Sequence, residues 1–182
     1  ELHPAHWSGL FSGAAHRRVG QLDGVNARRL IVEPVQGFLD YDDLALDKLL
    51  QLSGGHPYFL QVHCHALVLA ANRSQRVIVA TEDVEAAAPK AMEMAEAHLL
   101  ALWRELAPAE AAVAQAVARL IDGREPATPQ NLLPLLPAEE RETVEETLAG
   151  LLRSGVLAID NARGGYGFVL DLQRRWCRKM TG

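Results

Sequence analysis

Two glycines and a proline punctuate the middle of the chain, in the run Gly54-Gly55-His56-Pro57-Tyr58-Phe59-Leu60-Gln61. Apolar residues recur at helical spacing on both sides, over residues 41–52 and 57–72. The glycines allow a left-handed exit from the first helix. Proline suits the first position of the second, where its missing N–H has no intrahelical partner to lose. The run therefore predicts a rigid helix–turn–helix corner. The start of the second helix presents N–H groups with partial positive charge, a setting that favours an anion.

Flanking patterns extend the helical reading. Asp40 is the expected N-cap of the first helix, with Asp42 and Asp43 in its first turn and Tyr41, Leu44, Leu49 and Leu52 as its apolar stripe. The second helix is expected to bury Leu60, Cys64, Leu67 and Ala71. Residues 77–79 read as a short extended segment, after which Thr81 caps a third helix that Pro89 breaks or kinks. A further helix is expected over 89–106, with Leu99, Leu102, Trp103 and Leu106 on its apolar face.

Pro108 opens a different pattern. Helices are expected over 109–121, 128–136 and 137–153, then strands over 156–159 and 166–170 joined by a turn that contains Gly164 and Gly165. Three helices followed by a hairpin is the order of a winged helix–turn–helix unit. A last helix begins at Asp171 and carries Arg174, Arg175, Trp176, Arg178 and Lys179. The fold class expected is mainly α: a helical bundle over 36–106, then a winged helix with one β-hairpin over 107–182. Residues 1–35 read as a short helix over 6–15, a short strand over 29–32, and linker.

GGHPYFLQ, with LIVEPV upstream (residues 30–35) and Thr81-Glu82-Asp83-Val84 downstream, resembles the lid region of bacterial P-loop ATPases of the AAA+/STAND superfamily. The resemblance implies that residues 36–106 are a lid whose Gly-x-Pro motif, here Gly55 and Pro57, faces a bound nucleotide. It also implies a winged helix after the lid, ATP or ADP with Mg as the cofactor of the parent protein, and a role in signal transduction. No Gly-x-x-x-x-Gly-Lys-Ser/Thr loop occurs: Lys48, Lys90 and Lys179 are followed by Leu, Ala and Met. Nothing in the chain would cradle phosphates or supply the magnesium-binding hydroxyl. The chain starts at Glu1, and the expectation is a C-terminal part of a longer ATPase, with 1–35 a remnant of its core and linker. Alone it is expected to be no enzyme, and its partners are expected to be the P-loop core and a protein effector. Residues 106–108 are the expected hinge.

Other chemistries find little footing. Net charge is −5, which argues against a chain given over to nonspecific nucleic-acid binding. The rival reading, a winged-helix DNA-binding regulator, meets Glu139, Glu140, Glu142, Glu145 and Glu146 on the helix that would enter the groove. His56, His63, Cys64 and His65 cannot converge on a metal, because consecutive helical residues fan out by about 100° each. No Gly-x-Ser-x-Gly elbow is present. Cys64 and Cys177 lie far apart in helical patterns, and a reducing, cytoplasmic setting is expected. No apolar run is long enough to span a membrane. The basic run at 174–179 is either a solvated face or a surface for an acidic partner, with Arg174 and Arg175 as its charges and Trp176 as its anchor.

Overall fold

The computed structural model describes residues 21–179, which are mainly helical with two small two-stranded sheets. The helix expected over 6–15, and His3 and His6, lie outside the described residues.

The first core is built by helices α1 (Gly24–Val32), α2 (Asp43–Ser53), α3 (Pro57–Ser74), α4 (Thr81–Met94) and α5 (Glu96–Arg104). A parallel pair, β1 (Asp40–Tyr41) and β2 (Ile78–Val79), ties the entry of α2 to the entry of α4 in the register Asp40↔Ile78. Ile31, Leu49, Leu52, Phe59, Leu60 and Leu99 are at most 1 % exposed and fill its centre.

Several local expectations give way to tertiary packing. Residues 29–32 are helical, not a strand. Asp23 caps α1 through the Asn26 N–H at 2.8 Å, and Ala27 and Ile31, four residues apart, bury one face. The β-branched pair Ile31-Val32 is a weak preference that packing overrides. Helix α2 starts two residues later than expected. Asp42 is its cap, accepting from the Ala45 N–H at 2.6 Å, because Asp40 and Tyr41 are held in β1. Leu44 is 70 % exposed, and Ala45 and Leu46 take the place expected for it. The Thr81 cap is also displaced by one. Ala80 is the N-cap, and the Asp83 carboxylate accepts from its N–H at 3.0 Å.

Pro89 does not end α4, which runs on to Met94; the break falls at Ala95 instead. An interior proline costs about 3 kcal/mol in an isolated helix. Here its ring lies on the exposed side, where water can reach the carbonyl it leaves unbonded. Buried Val84, Ala87, Ala88 and Ala91 hold both halves of the helix on the core.

The second core belongs to α6 (Pro108–Asp122), α7 (Pro129–Leu132), α8 (Val144–Ser154) and an antiparallel hairpin, β3 (Leu157–Asp160) with β4 (Gly165–Phe168). Val113, Val117, Leu132, Leu148, Leu151 and Leu157 are its buried members. The helix expected over 137–153 is broken: Ala138–Glu140 forms a 3-10 turn, and α8 starts only at Val144. Helix α9 (Asp171–Lys179) then returns to the first core, where Leu172, Trp176 and Cys177 are buried. Phe168, just ahead of it, packs against both cores. No helix among the described residues is long and apolar enough to cross a membrane.

Candidate functional site

The corner between α2 and α3 forms as its residue types demand. Gly54 closes α2 in the left-handed region (φ 57°, ψ 23°), and Gly55 follows at φ 73°. The Ser53 hydroxyl donates back to the Leu49 carbonyl at 2.7 Å and accepts from the Gly55 N–H at 3.3 Å. His56 is the N-cap of α3 without a side-chain capping bond, and Pro57 takes the first position. The N–H groups of Tyr58 and Phe59 make no hydrogen bond within the described residues.

Both glycines are also approached by distant backbone. A Cβ on Gly54 would sit 2.2 Å from the Val169 carbonyl oxygen, and one on Gly55 would sit 2.8 Å from that of Leu22. Leu22 is hydrogen-bonded to the corner, its N–H donating to the Gly55 carbonyl at 2.9 Å. The corner is thus held between the segment entering the fold and the exit of the hairpin. Gly55 is buried under Leu22, whereas Pro57 is half-buried at the start of its helix.

An aromatic group surrounds the corner. His56 meets Phe59 edge-on at 5.1 Å and His98 at 6.1 Å, and Tyr58 stacks on His98 at 4.5 Å. Burial, helped by His98, lowers the pKa of His56 and favours its neutral form. His63 is fully buried, with Nε2 2.9 Å from the Val84 carbonyl. Nε2 therefore carries the proton and donates, which leaves Nδ1 without a partner among the described residues. Among the described residues no group of three or more His, Cys, Asp or Glu is placed to hold a metal ion.

Arg174, Arg175 and Trp176, expected as a docking surface, face an internal seam of the chain, whereas the Arg178 and Lys179 side chains stay 45 % and 66 % exposed. Trp176 is 2 % exposed and meets Trp103 edge-on at 6.0 Å. Arg175 makes a two-pronged contact with Glu85 at 2.7 and 3.0 Å and also reaches Asp171 at 2.9 Å. Lys48 joins Glu85 at 2.6 Å. Arg174 pairs with Asp171 and with Asp122 at the end of α6, and Arg178 reaches Asp122 at 2.9 Å. Arg174, Arg175 and Arg178 thus find acidic groups within the chain itself. Sequence reasoning missed Glu85 because it stands 90 residues from Arg175, with no local signal that the two meet.

The Arg175 hydrogen bonds, with Lys48 beside them, outweigh burial and hold the Glu85 carboxyl down at about 2. Burial alone would raise Asp171, but the bonds from Arg174 and Arg175 win and lower it. A depressed carboxylate stabilises the fold above its unfolded value and loses that contribution as pH falls through its folded value. For Glu85 this window runs from about 4.5 down to about 2. Glu85 is 38 % exposed, so solvent screens part of the effect. In an acid titration followed by circular dichroism, Glu85→Gln is expected to flatten the loss of stability across that window. A profile identical to the unsubstituted chain would show that the contact contributes nothing.

A cleft of about 620 Å³ lies beside the corner, between the two cores. His56 and Phe59 from the corner, Glu105 and Glu110 from the α5–α6 junction, and Arg153 and Val156 from the end of α8 line it. No protein family, no curated protein and no solved structure matches the chain.

Proposed function

We propose that residues 36–106 are the lid and residues 107–182 the winged-helix unit of a nucleotide-dependent signalling ATPase of AAA+/STAND type. In this reading the region is not catalytic by itself, and it turns the nucleotide state of a P-loop core into rearrangement and partner contacts. One observation carries the reading. The Gly54–Pro57 corner is gripped on one side by Leu22, from the segment that enters the lid, and on the other by Val169, from the hairpin of the second unit. A shift of the entering segment against α3 therefore bears directly on the hairpin.

The residues present fit only part of a nucleotide site. The half-buried Pro57 and the unbonded N–H groups of Tyr58 and Phe59 suit the edge of a base, a ribose or an anion. A phosphate cradle and a magnesium ligand set are absent from the sequence, so a separate core must provide them. Ala107, whose N–H donates to Glu110 at 3.0 Å, marks the junction of α5 and α6 and serves as the hinge.

The chain of residues 1–182 is expected to show no ATP turnover and no calorimetric binding of ATP; micromolar affinity would contradict the reading. The rival DNA-binding reading has less support. Glu145 and Glu146 are exposed on the first turn of α8, Glu139 and Glu142 are exposed ahead of it, and Arg163 in the hairpin turn faces Asp160 at 3.7 Å. Tight, salt-sensitive retardation of DNA in a gel would favour that rival.

A further inference from the structure

His63 lies within α3, fully buried, and its Nε2 donates to the Val84 carbonyl at 2.9 Å. The next residue of α4, Glu85, holds Arg175 of α9 at 2.7 and 3.0 Å. With Nε2 already a donor, a second proton must go to Nδ1. That atom is buried and has no acceptor among the described residues. The fold therefore suits the neutral imidazole and has no hydrogen bond to offer the imidazolium.

The charges around the ring decide how the fold responds to a proton. Arg175 opposes the charged form of His63, and Glu85 favours it. Lys48 of α2 ends on Glu85, and Asp171 of α9 ends on Arg175. Helix α1 buries Ala27 and Ile31, while its Arg28 and Arg29 pair outside with Asp43, Asp47 and Glu33. Helix α5 brings His98 to Tyr58 and His56 at the start of α3, about 10 Å along the helix from His63. Burial keeps the Cys64 thiol and the Tyr41 hydroxyl protonated. Of the two charges that act on the ring, Glu85 is fixed on α4 beside Val84, and Arg175 rides on α9. Lifting α9 removes the opposing charge and leaves the favourable one in place.

We propose that His63 is a proton-operated release for α9: a proton on Nδ1 favours a state in which α9 has left the first core. The proton shifts the population because the lifted state binds it better. Burial, aided by Arg175, lowers the pKa of His63 in the closed state, against the Val84 hydrogen bond and Glu85. The contribution of the neutral ring is complete above the ordinary value of 6.5 and is lost as pH falls from there toward the lowered value. Helix α9 also carries Arg174, which pairs with Asp122 at the end of α6, so the release uncouples the two units at this seam. The inference is independent of the nucleotide reading.

Backbone hydrogen exchange of the 182-residue chain, read as protection factors, tests the release. Between about pH 7.5 and about pH 5.5 the α9 amides are expected to lose protection at least about threefold. At the lower pH they are expected to be less protected than amides at the centre of α3, since lifting α9 is smaller than global unfolding. His63→Gln keeps an N–H for the Val84 carbonyl and cannot titrate, so the loss is expected to vanish; His56→Gln is expected to leave it in place. Ring-nitrogen NMR of the unsubstituted chain reads His63 directly, whether or not the variant folds, and is expected to show the Nε2–H tautomer while α9 stays protected. Unchanged α9 protection, equal protection of α9 and α3 at the lower pH, or a loss that survives His63→Gln would each overturn the proposal. So would a His63 ring that takes its proton at the ordinary 6.5 with α9 still protected.

Discussion

Trp176→Ala is expected to destabilise the chain by about 3–5 kcal/mol, the range for removing a large aromatic side chain from a packed core. Trp176 is 2 % exposed, and it belongs to the first core although it sits near the end of the chain. The substitution removes the apolar anchor of α9 and opens a void against Trp103. Natural domains hold only about 5–15 kcal/mol in total, so most molecules of a marginal protein would be affected. Among the described residues the indole Nε1 has no hydrogen-bond partner, so Trp176→Phe loses no such bond and should cost much less. Urea denaturation followed by circular dichroism measures both. A loss below about 1 kcal/mol for the alanine variant would mean that α9 is not a structural part of the first core.

Gly54→Ala is expected to cost about 3 kcal/mol, for two reasons that add. An alanine in the left-handed region costs about 1–2 kcal/mol, and Gly54 sits at φ 57°. The new Cβ would also lie 2.2 Å from the Val169 carbonyl oxygen, closer than any real contact, so the hairpin exit must move. Gly155 separates the two reasons. It has φ 76°, but nothing lies within 4 Å of its virtual Cβ. Gly155→Ala should therefore cost only the backbone part, about 1–2 kcal/mol. Equal losses for the two variants in the same denaturation experiment would refute the close approach of Val169 to the corner.

The corner was legible in the sequence because its signals are local. Two glycines and a proline at fixed offsets specify a left-handed exit and a helix start whatever surrounds them. Helix α3 begins at Pro57 as expected and continues to Ser74. The order of elements after Pro108 was likewise readable from caps and turn residues: Thr128 caps α7 through the Asn131 N–H, and Gly155 closes α8. The failures have a common cause. Local preference points the wrong way at residues 29–32, at Pro89 and at the start of α2, where burial of Ala27 and Ile31, the alanine face of α4 and the β1–β2 pairing decide the structure. The charged run at 174–179 looked like a surface because charge runs usually are. Nothing near it in sequence announces Glu85, Lys48 or Asp122.

The reading of the corner as a relay between a nucleotide and the second unit is tested most directly by calorimetric titration of ATP into the product of the complete reading frame. The account predicts that the unsubstituted protein binds ATP, and that Pro57→Ala weakens binding about tenfold or removes the ATP-dependent protection of α9 amides from hydrogen exchange. Identical affinity and identical protection in the two proteins would contradict it, leaving the Gly54–Pro57 turn as a structural joint only.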